Sequence, residues 1–544
     1  MVAIIYLPIL NGFFQHDEWQ AFASIDFLGE LKLNDIILKS FAPKVSHYSP
    51  FTEFIFTLLF QRFGLNYLGY AVIGLILHLF IVFLIFFLAY CLTKKLVIAC
   101  MSALLFGLNA SSYQAVSWIA ANINTQGATI FGLVCLIIFF YFLQKGAKRN
   151  NLFLICIILL VISLMFKEIT IAFFAILPLT LLFYTKDKID KRRIIYCSII
   201  CGLGVLYLSF RFLMLSVPSS DSKYIFTKDQ NFQEITYNTL TFPAKIFTQS
   251  VIPTQQLLVV SRMTTSFLPQ WITGQPGTTE FDQFIENKVL QFIDFLIFFI
   301  AVIVFLFVWK SHTKDSLKRI VLWSFVFTML SSFIYALSPG RSGSIPVIDS
   351  RNIYFPAIGT SIFIATVAYI IAHGKVIKIF LICSLIIFLH LYWLNEQHRS
   401  RISTSVTRKN ILQQIKREYP NLPKKVVFYV ASDRAYYGMA EKIPPFETGL
   451  GQALLVWYHS TERFPIDFFK DEFLRSIIDQ GYREVDGRGF GYFRDMNLLE
   501  GTVKQNNLLP ESVISYNYFG DTNILQETTI QIREKLRKDN TKKL

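Results

Sequence analysis

Two long apolar runs, residues 67–92 and 288–309, constrain this chain more than any other feature of its sequence. As helices, both are long enough to cross the ~30 Å hydrocarbon core of a bilayer. Inside that core each backbone N–H and C=O must be bonded within its own segment, so such runs fold as helices. Further apolar segments repeat the pattern. Together they predict eleven helices, at about 1–11, 67–92, 96–110, 123–143, 151–166, 169–184, 194–216, 288–309, 319–337, 353–373 and 377–394. The stretch 51–60, following Pro50, reads as an interfacial or half-inserted helix. The predicted fold is an all-α polytopic membrane bundle over residues 1–395, with outer loops at 11–66 and 217–287. Residues 396–544 then form a small α/β domain. Charge content agrees, since 16% of residues are Asp, Glu, Lys or Arg, where soluble domains carry about a quarter.

Basic residues orient the bundle. One set of short loops carries Lys94 and Lys95; Lys145, Lys148 and Arg149; Lys186, Lys188, Lys191, Arg192 and Arg193; Lys310, Lys314, Lys318 and Arg319; Lys375 and Lys378. The opposite set (111–122, 167–168 and 338–352) carries Lys167, Arg341 and Arg351. The first set is therefore expected to be cytoplasmic. The protein is read as multi-pass in the cell membrane, with the tail extracytoplasmic. The same distribution accounts for the net charge of +15 without a nucleic-acid partner. All seven cysteines (Cys91, Cys100, Cys135, Cys156, Cys197, Cys201, Cys383) fall in apolar segments without metal-ligand spacing. Met1–Leu10 has no basic n-region and no small-residue cleavage site after it. It reads as a short first helix or as a start placed too far downstream.

Within the outer segments, Trp19–Leu28 and Leu33–Phe41 have amphipathic patterns suited to a membrane surface. In the tail, Val426–Val430, Gly489–Phe493 and Ser512–Tyr516 are strand candidates. Ser400–Tyr419, Ile466–Gln480 and Asn523–Arg537 are helix candidates.

The ionisable residues of the outer loops gather at helix mouths. Asp17 and Glu18 follow the first helix, His47 and Tyr48 precede the next crossing, and Lys167-Glu168 forms a tight connection. Arg341 stands in the loop before Asp349-Ser-Arg351-Asn-Ile-Tyr354, which opens another helix. Ionisable groups beside membrane spans are costly and mark a site by default. The plainer alternatives are a mutual Lys167–Glu168 ion pair in a turn and a snorkelling Arg351. A carboxylate pair with arginine, lysine and histidine at one membrane face suits transfer of a group from a lipid-linked phosphate. The cations hold the leaving phosphate, and a carboxylate removes the proton of an acceptor hydroxyl. No phosphate-binding glycine loop or dinucleotide fingerprint is present, and Gly202-Leu-Gly204 lies inside a helix where it suits close packing.

These residues resemble the GT-C glycosyltransferases, multi-pass enzymes that take sugars from polyprenyl-phosphate carriers. His16-Asp17-Glu18 is similar to the acidic motif in the first outer loop of protein O-mannosyltransferases. His47-Tyr-Ser-Pro-Phe51 resembles their Tyr-Arg-Pro-Leu segment. Ala115-Val-Ser-Trp-Ile119, Phe166-Lys-Glu168 and Ser350-Arg-Asn-Ile-Tyr354-Phe-Pro356 look like segments of bacterial relatives. The likeness covers about residues 1–395. It implies an inverting transfer with Asp17 as base and Glu18 supporting it or orienting the acceptor. It also implies that Arg351 holds the lipid phosphate, helped by Lys167 or His47, with Tyr48, Glu168, Arg341 and Tyr354 lining the substrate site. The implied partners are a polyprenyl-phosphate-linked sugar, a protein or glycolipid acceptor, and the bilayer. No cofactor is fixed, and a divalent cation beside Asp17 and Glu18 stays open, its ligands unknown. Ser49 replaces the arginine of Tyr-Arg-Pro, and Asn109 and Tyr113 stand where histidines are frequent. Two other function classes stay open as well. One is a transporter or lipid-carrier flippase, and the other a ligase or polymerase using a diphosphate-linked glycan.

Overall fold

The long apolar runs are helical, as internally satisfied backbone requires where water is excluded. The computed structural model describes the chain except for residues 27–31, 43–47, 146–148, 185–190, 216–231, 276–277, 338–346, 432–449, 479, 520–521 and 542–544. Two compact units emerge. One comprises Met1–Leu7, Ile36–Phe56 and Ala71–His398; the other comprises Pro8–Asp35, Thr57–Tyr70 and Arg399–Leu544.

Five helices among the described residues are long and apolar enough to cross a bilayer: Tyr67–Thr93, Ile119–Gln144, Lys191–Arg211, Leu290–Lys310 and Val376–Glu418. They mark the chain as a membrane protein. Leu96–Gly107 and Ala110–Ser117 make a sixth candidate if the 57° bend between them lies within one span. The expectation of eleven crossings is therefore corrected. Val2–Asn11, Asn150–Phe166, Glu168–Leu181 and Ala357–Ile371 are apolar but short. Seventeen helical residues reach only ~25 Å, less than the hydrocarbon thickness. The expected span at 169–184 opens on a 3-10 turn, Glu168–Ala172, and carries Pro178. That at 319–337 is Asp315–Phe333, its apolar run diluted by Lys318, Arg319 and a series of hydroxyl side chains.

Two further expectations change. Residues 377–394 and 400–419 are not separate helices but one of 43 residues, Val376–Glu418. No glycine or proline interrupts it, and a switch from apolar to polar side chains does not end a helix. The supposed loop 217–287 contains Phe232–Val251, which packs on Leu290–Lys310, Asp315–Phe333 and Ala357–Ile371. Its buried residues include Asn238, Thr241, Lys245, Thr248 and Gln249 beside Phe242, Ile246 and Phe247, and this polar share disguised it as a loop.

In the second unit, His16–Asp26 packs on Leu450–Glu462 and Asp471–Ile478. Trp19, Phe22 and Ala23 are buried there, so this amphipathic patch faces protein rather than the membrane surface. A five-stranded sheet comprises β1 (Lys425–Ala431), β2 (Gly481–Val485), β3 (Arg488–Phe493), β4 (Val513–Phe519) and β5 (Ile524–Glu527). Its order is β2-β3-β1-β4-β5. Central β1 is parallel to β3 and β4, and both outer pairs are antiparallel. The three expected strands are β1, β3 and β4, whereas β2 and β5 lack their clear apolar alternation. Asp486 and Gly487 both take positive φ between β2 and β3, the backbone that a two-residue type I′ hairpin demands. Asn523–Arg537, expected as a helix, splits into β5 and Thr529–Thr541.

Candidate functional site

The first unit places its polar residues where helices break. A break frees carbonyls that hydrocarbon cannot solvate, and here side chains from other helices take them up. Thr52 Oγ1 donates to the Phe166 carbonyl at 3.0 Å. His78 Nε2 lies 3.2 Å from the Gly107 carbonyl, while Thr328 Oγ1 donates at 3.3 Å to the Pro356 carbonyl, which also accepts within the helix it caps. These are the places from which Lys167, Asn109 and Arg351 project.

Arg351 lies on the four-residue turn Ser350–Ile353. Gln114 fastens that turn: its own N–H donates to Ser350 Oγ at 3.2 Å, and its Oε1 accepts the Arg351 N–H at 3.3 Å. The Arg351 guanidinium sits over the Trp118 ring, 4.3 Å from the centroid, and 3.5 Å from Asp349 Oδ2. It keeps 27% of its side chain accessible, so it is gripped from one side and open on the other. Lys167 Nζ donates to Thr125 Oγ1 at 2.8 Å. Trp118 and Thr125 are seven residues apart at the start of Ile119–Gln144. Thr125 thus lies two turns, or ~10 Å of helical rise, beyond the extended Trp118 cap. One helix end thus carries contacts from both cations.

Glu168 does not pair with its neighbour Lys167 in a simple turn. Its Oε1 is 2.6 Å from Arg211 Nη2, with side-chain exposures of 32% and 10%. Tyr48 packs on Phe210, ring centroids 6.3 Å apart, beside that pair. Tyr354 is fully buried, its hydroxyl 2.9 Å from His78 Nδ1 and its ring against Phe106. That hydroxyl is used inside the bundle. His47 and Arg341 lie outside the described residues.

Asp17 and Glu18 belong to the second unit. Glu18 is buried, and its Oε2 accepts the Gln15 N–H at 3.0 Å. Gln15 immediately precedes the helix, so Glu18 supplies the return bond of a capping box and fixes the turn that carries Asp17. The Asp17 side chain is outside the described residues. Tyr67 hydrogen-bonds Arg401 and feels the charges of Glu18 and Arg408. Arg401 and Arg408 share a face of Val376–Glu418, and Ser405, between them, donates to the Phe13 carbonyl at 3.5 Å.

Several of these groups escaped the sequence. Arg211 is buried at the end of a span. Lys245 and Asp294 are both fully buried and feel each other's charge. Asp294 Oδ2 accepts from Gln249 Nε2 at 3.3 Å, and Gln249 Oε1 in turn accepts the Ile348 N–H at 3.0 Å, just before Asp349. A lone Asp within an apolar run was the available signal, and default suspicion of intramembrane charge could have found it. Among the described residues no group of three or more His, Cys, Asp or Glu could hold a metal ion. No protein-family model matches the chain, and no curated protein matches it.

Proposed function

We propose that this chain is a membrane glycosyltransferase that moves a sugar from a polyprenyl-phosphate carrier to an acceptor hydroxyl on the extracytoplasmic face. The observation that carries this reading is the pair of cations on one helix end, Arg351 over Trp118 and Lys167 on Thr125. Two cations held at one helix end suit the charge that develops on a departing lipid phosphate. On this reading the acceptor oxygen attacks the anomeric carbon, and a carboxylate, assigned to Asp17 on the resemblance alone, takes the hydroxyl proton. The bond from that carbon to the phosphate oxygen breaks, its electron pair leaves with the phosphate, and the configuration inverts. Phosphate leaves without an acid catalyst. Glu18 caps the start of the helix that carries Asp17.

The basic loops, including Lys94-Lys95 and Lys375, put their side of the membrane in the cytosol by the usual charge rule. That orientation puts the 399–544 region outside, and reporter fusions at residues 95 and 544 test it. The chemistry is tested by giving membranes that carry the protein a radiolabelled polyprenyl-phosphate hexose. Label should pass to protein or glycolipid, and Asp17→Asn should abolish transfer while expression and insertion persist. An active Asp17→Asn protein would remove the assigned base.

A transporter or flippase is the second reading. It is favoured by the 57° bend between Leu96–Gly107 and Ala110–Ser117 and by the buried Lys245 and Asp294. Broken helices and buried charge are recurrent transporter features. Uptake into vesicles without a glycosyl product would select it. Parallel mono- and diphosphate donors distinguish the transferase from a glycan ligase.

A further inference from the structure

The segment Thr254–Thr273 was expected to lie in an outer loop. It instead forms two helices, Thr254–Ser266 and Gln270–Thr273, joined at Phe267–Pro269. Leu257, Ser261 and Thr265 recur every four residues and are buried. Leu257 packs with Val289, Leu290 and Ile293, the opening of the Leu290–Lys310 span. The protein side of this helix is thus fastened at the level where a membrane helix begins. Phe292, on the same opening turn, already points outward and is 67% exposed.

The opposite edge of the segment is apolar and uncovered. Val260, Met263, Phe267 and Trp271 follow at spacings of three and four. Phe267 and Trp271 are 86% and 85% exposed. Two large aromatic rings left this open are unfavourable in water, since each has 150–250 Å² to bury. The segment is nevertheless too polar to cross a bilayer, with Thr254, Gln255, Gln256, Arg262, Thr264 and Ser266 in its first helix. An aromatic edge, an adjacent exposed Arg262 and low overall apolarity suit the headgroup–acyl boundary.

We infer that Val260, Met263, Phe267 and Trp271 form a bilayer-interface anchor, with a lipid surface as the partner. The apolar edge enters the upper acyl region and Arg262 reaches lipid phosphate. This inference goes beyond the transferase reading and stands without it.

The test uses the full chain in phosphatidylcholine nanodiscs containing lipids nitroxide-labelled at the headgroup, at acyl carbon 5 or at acyl carbon 16. The chain has seven tryptophans, so the difference between wild type and Trp271→Phe isolates Trp271. Its emission should be quenched most by the carbon-5 label, at least twofold more than by the carbon-16 label, and little by aqueous iodide. Phe267→Trp, added to wild type, should contribute a second signal of the same depth, so the result does not hang on one variant. Strongest quenching at carbon 16 would make this edge a spanning surface. Insensitivity to all three lipid labels would give it to water or a protein partner. Either outcome overturns the anchor.

Discussion

Removing Glu168 should unsettle the first unit far more than removing the arginine it pairs with. Glu168 Oε1 and Arg211 Nη2 are 2.6 Å apart, but the glutamate side chain is 32% exposed and the arginine only 10%. Glu168→Leu leaves a guanidinium that water barely reaches. Breaking a buried pair in this way costs about 3–5 kcal/mol. Arg211→Leu leaves a carboxylate that water can reach, costing about 1–3 kcal/mol. The double variant places two leucines in an apolar bundle and should fall within about 1 kcal/mol of wild type. At roughly 2 °C per kcal/mol for a long chain, Glu168→Leu lowers the unfolding temperature by about 6–10 °C, and the double variant restores most of it. Thermal unfolding followed by intrinsic fluorescence in one fixed detergent measures all four proteins. Additive losses, or a Glu168→Leu shift under about 2 °C, would refute the coupling. The double variant also separates roles. If it folds and still transfers sugar, Glu168 is a bundle residue and not a donor contact.

Trp118→Leu removes the ring beneath Arg351. A partly desolvated cation–π contact contributes about 0.5–2 kcal/mol, so on the transferase reading the KM for a polyprenyl-phosphate sugar should rise between roughly 2- and 30-fold while kcat changes less. An unchanged KM would detach Arg351 from donor binding. In the second unit His459 stacks on Phe469 at 4.6 Å, and burial holds its imidazole below the usual histidine range. The unfolded chain then takes up this proton first, so stability is intact above pH ~6.5 and declines as pH falls towards the lowered folded value. His459→Phe should flatten that decline in unfolding temperature measured from pH 7.5 to 5. An unaltered slope would assign the acid sensitivity elsewhere.

Helix identity was legible wherever apolar runs were long, and so were the three inner strands, because each buried strand is nearly continuous in Val, Ile, Phe and Tyr. Span count was not. Hydropathy reads composition, whereas crossing depends on unbroken length, and Lys167, Pro178 and Asn109 interrupt apolar stretches that composition alone joins. The converse error hid Phe232–Val251, whose polar residues are buried against other helices rather than facing water. The β2–β3 hairpin had its Asp486-Gly487 turn in plain sight, but the exposed edge strand beside it carried too few apolar residues to be noticed. Of the candidate site, Lys167, Glu168 and Arg351 were visible as charges among apolar neighbours. Arg211 and Asp294 were not noticed, because each lies in a run that otherwise reads as span. Their partners are distant in sequence and meet only when helices pack.

The distribution of polar groups in the first unit has one physical origin. A helix that breaks inside an apolar bundle exposes carbonyls and N–H groups, and each left unbonded would cost several kcal/mol. Sequence must therefore supply hydroxyls, imidazoles and amides from other helices at each break. Here Thr52, His78 and His390 do so, the last through Nε2 3.0 Å from the Val251 carbonyl. Once a break is lined with such groups, a charge beside it costs less than it would along an intact span, because dipoles and partners already surround it. Lys167, Glu168 and Arg351 stand at such breaks, each with a partner on another element: Thr125, Arg211 and Trp118. Fixed charge among the described residues of this unit is thus held at such breaks, besides the buried Lys245 and Asp294. Substituting the capping hydroxyls should therefore disturb function before it disturbs the spans.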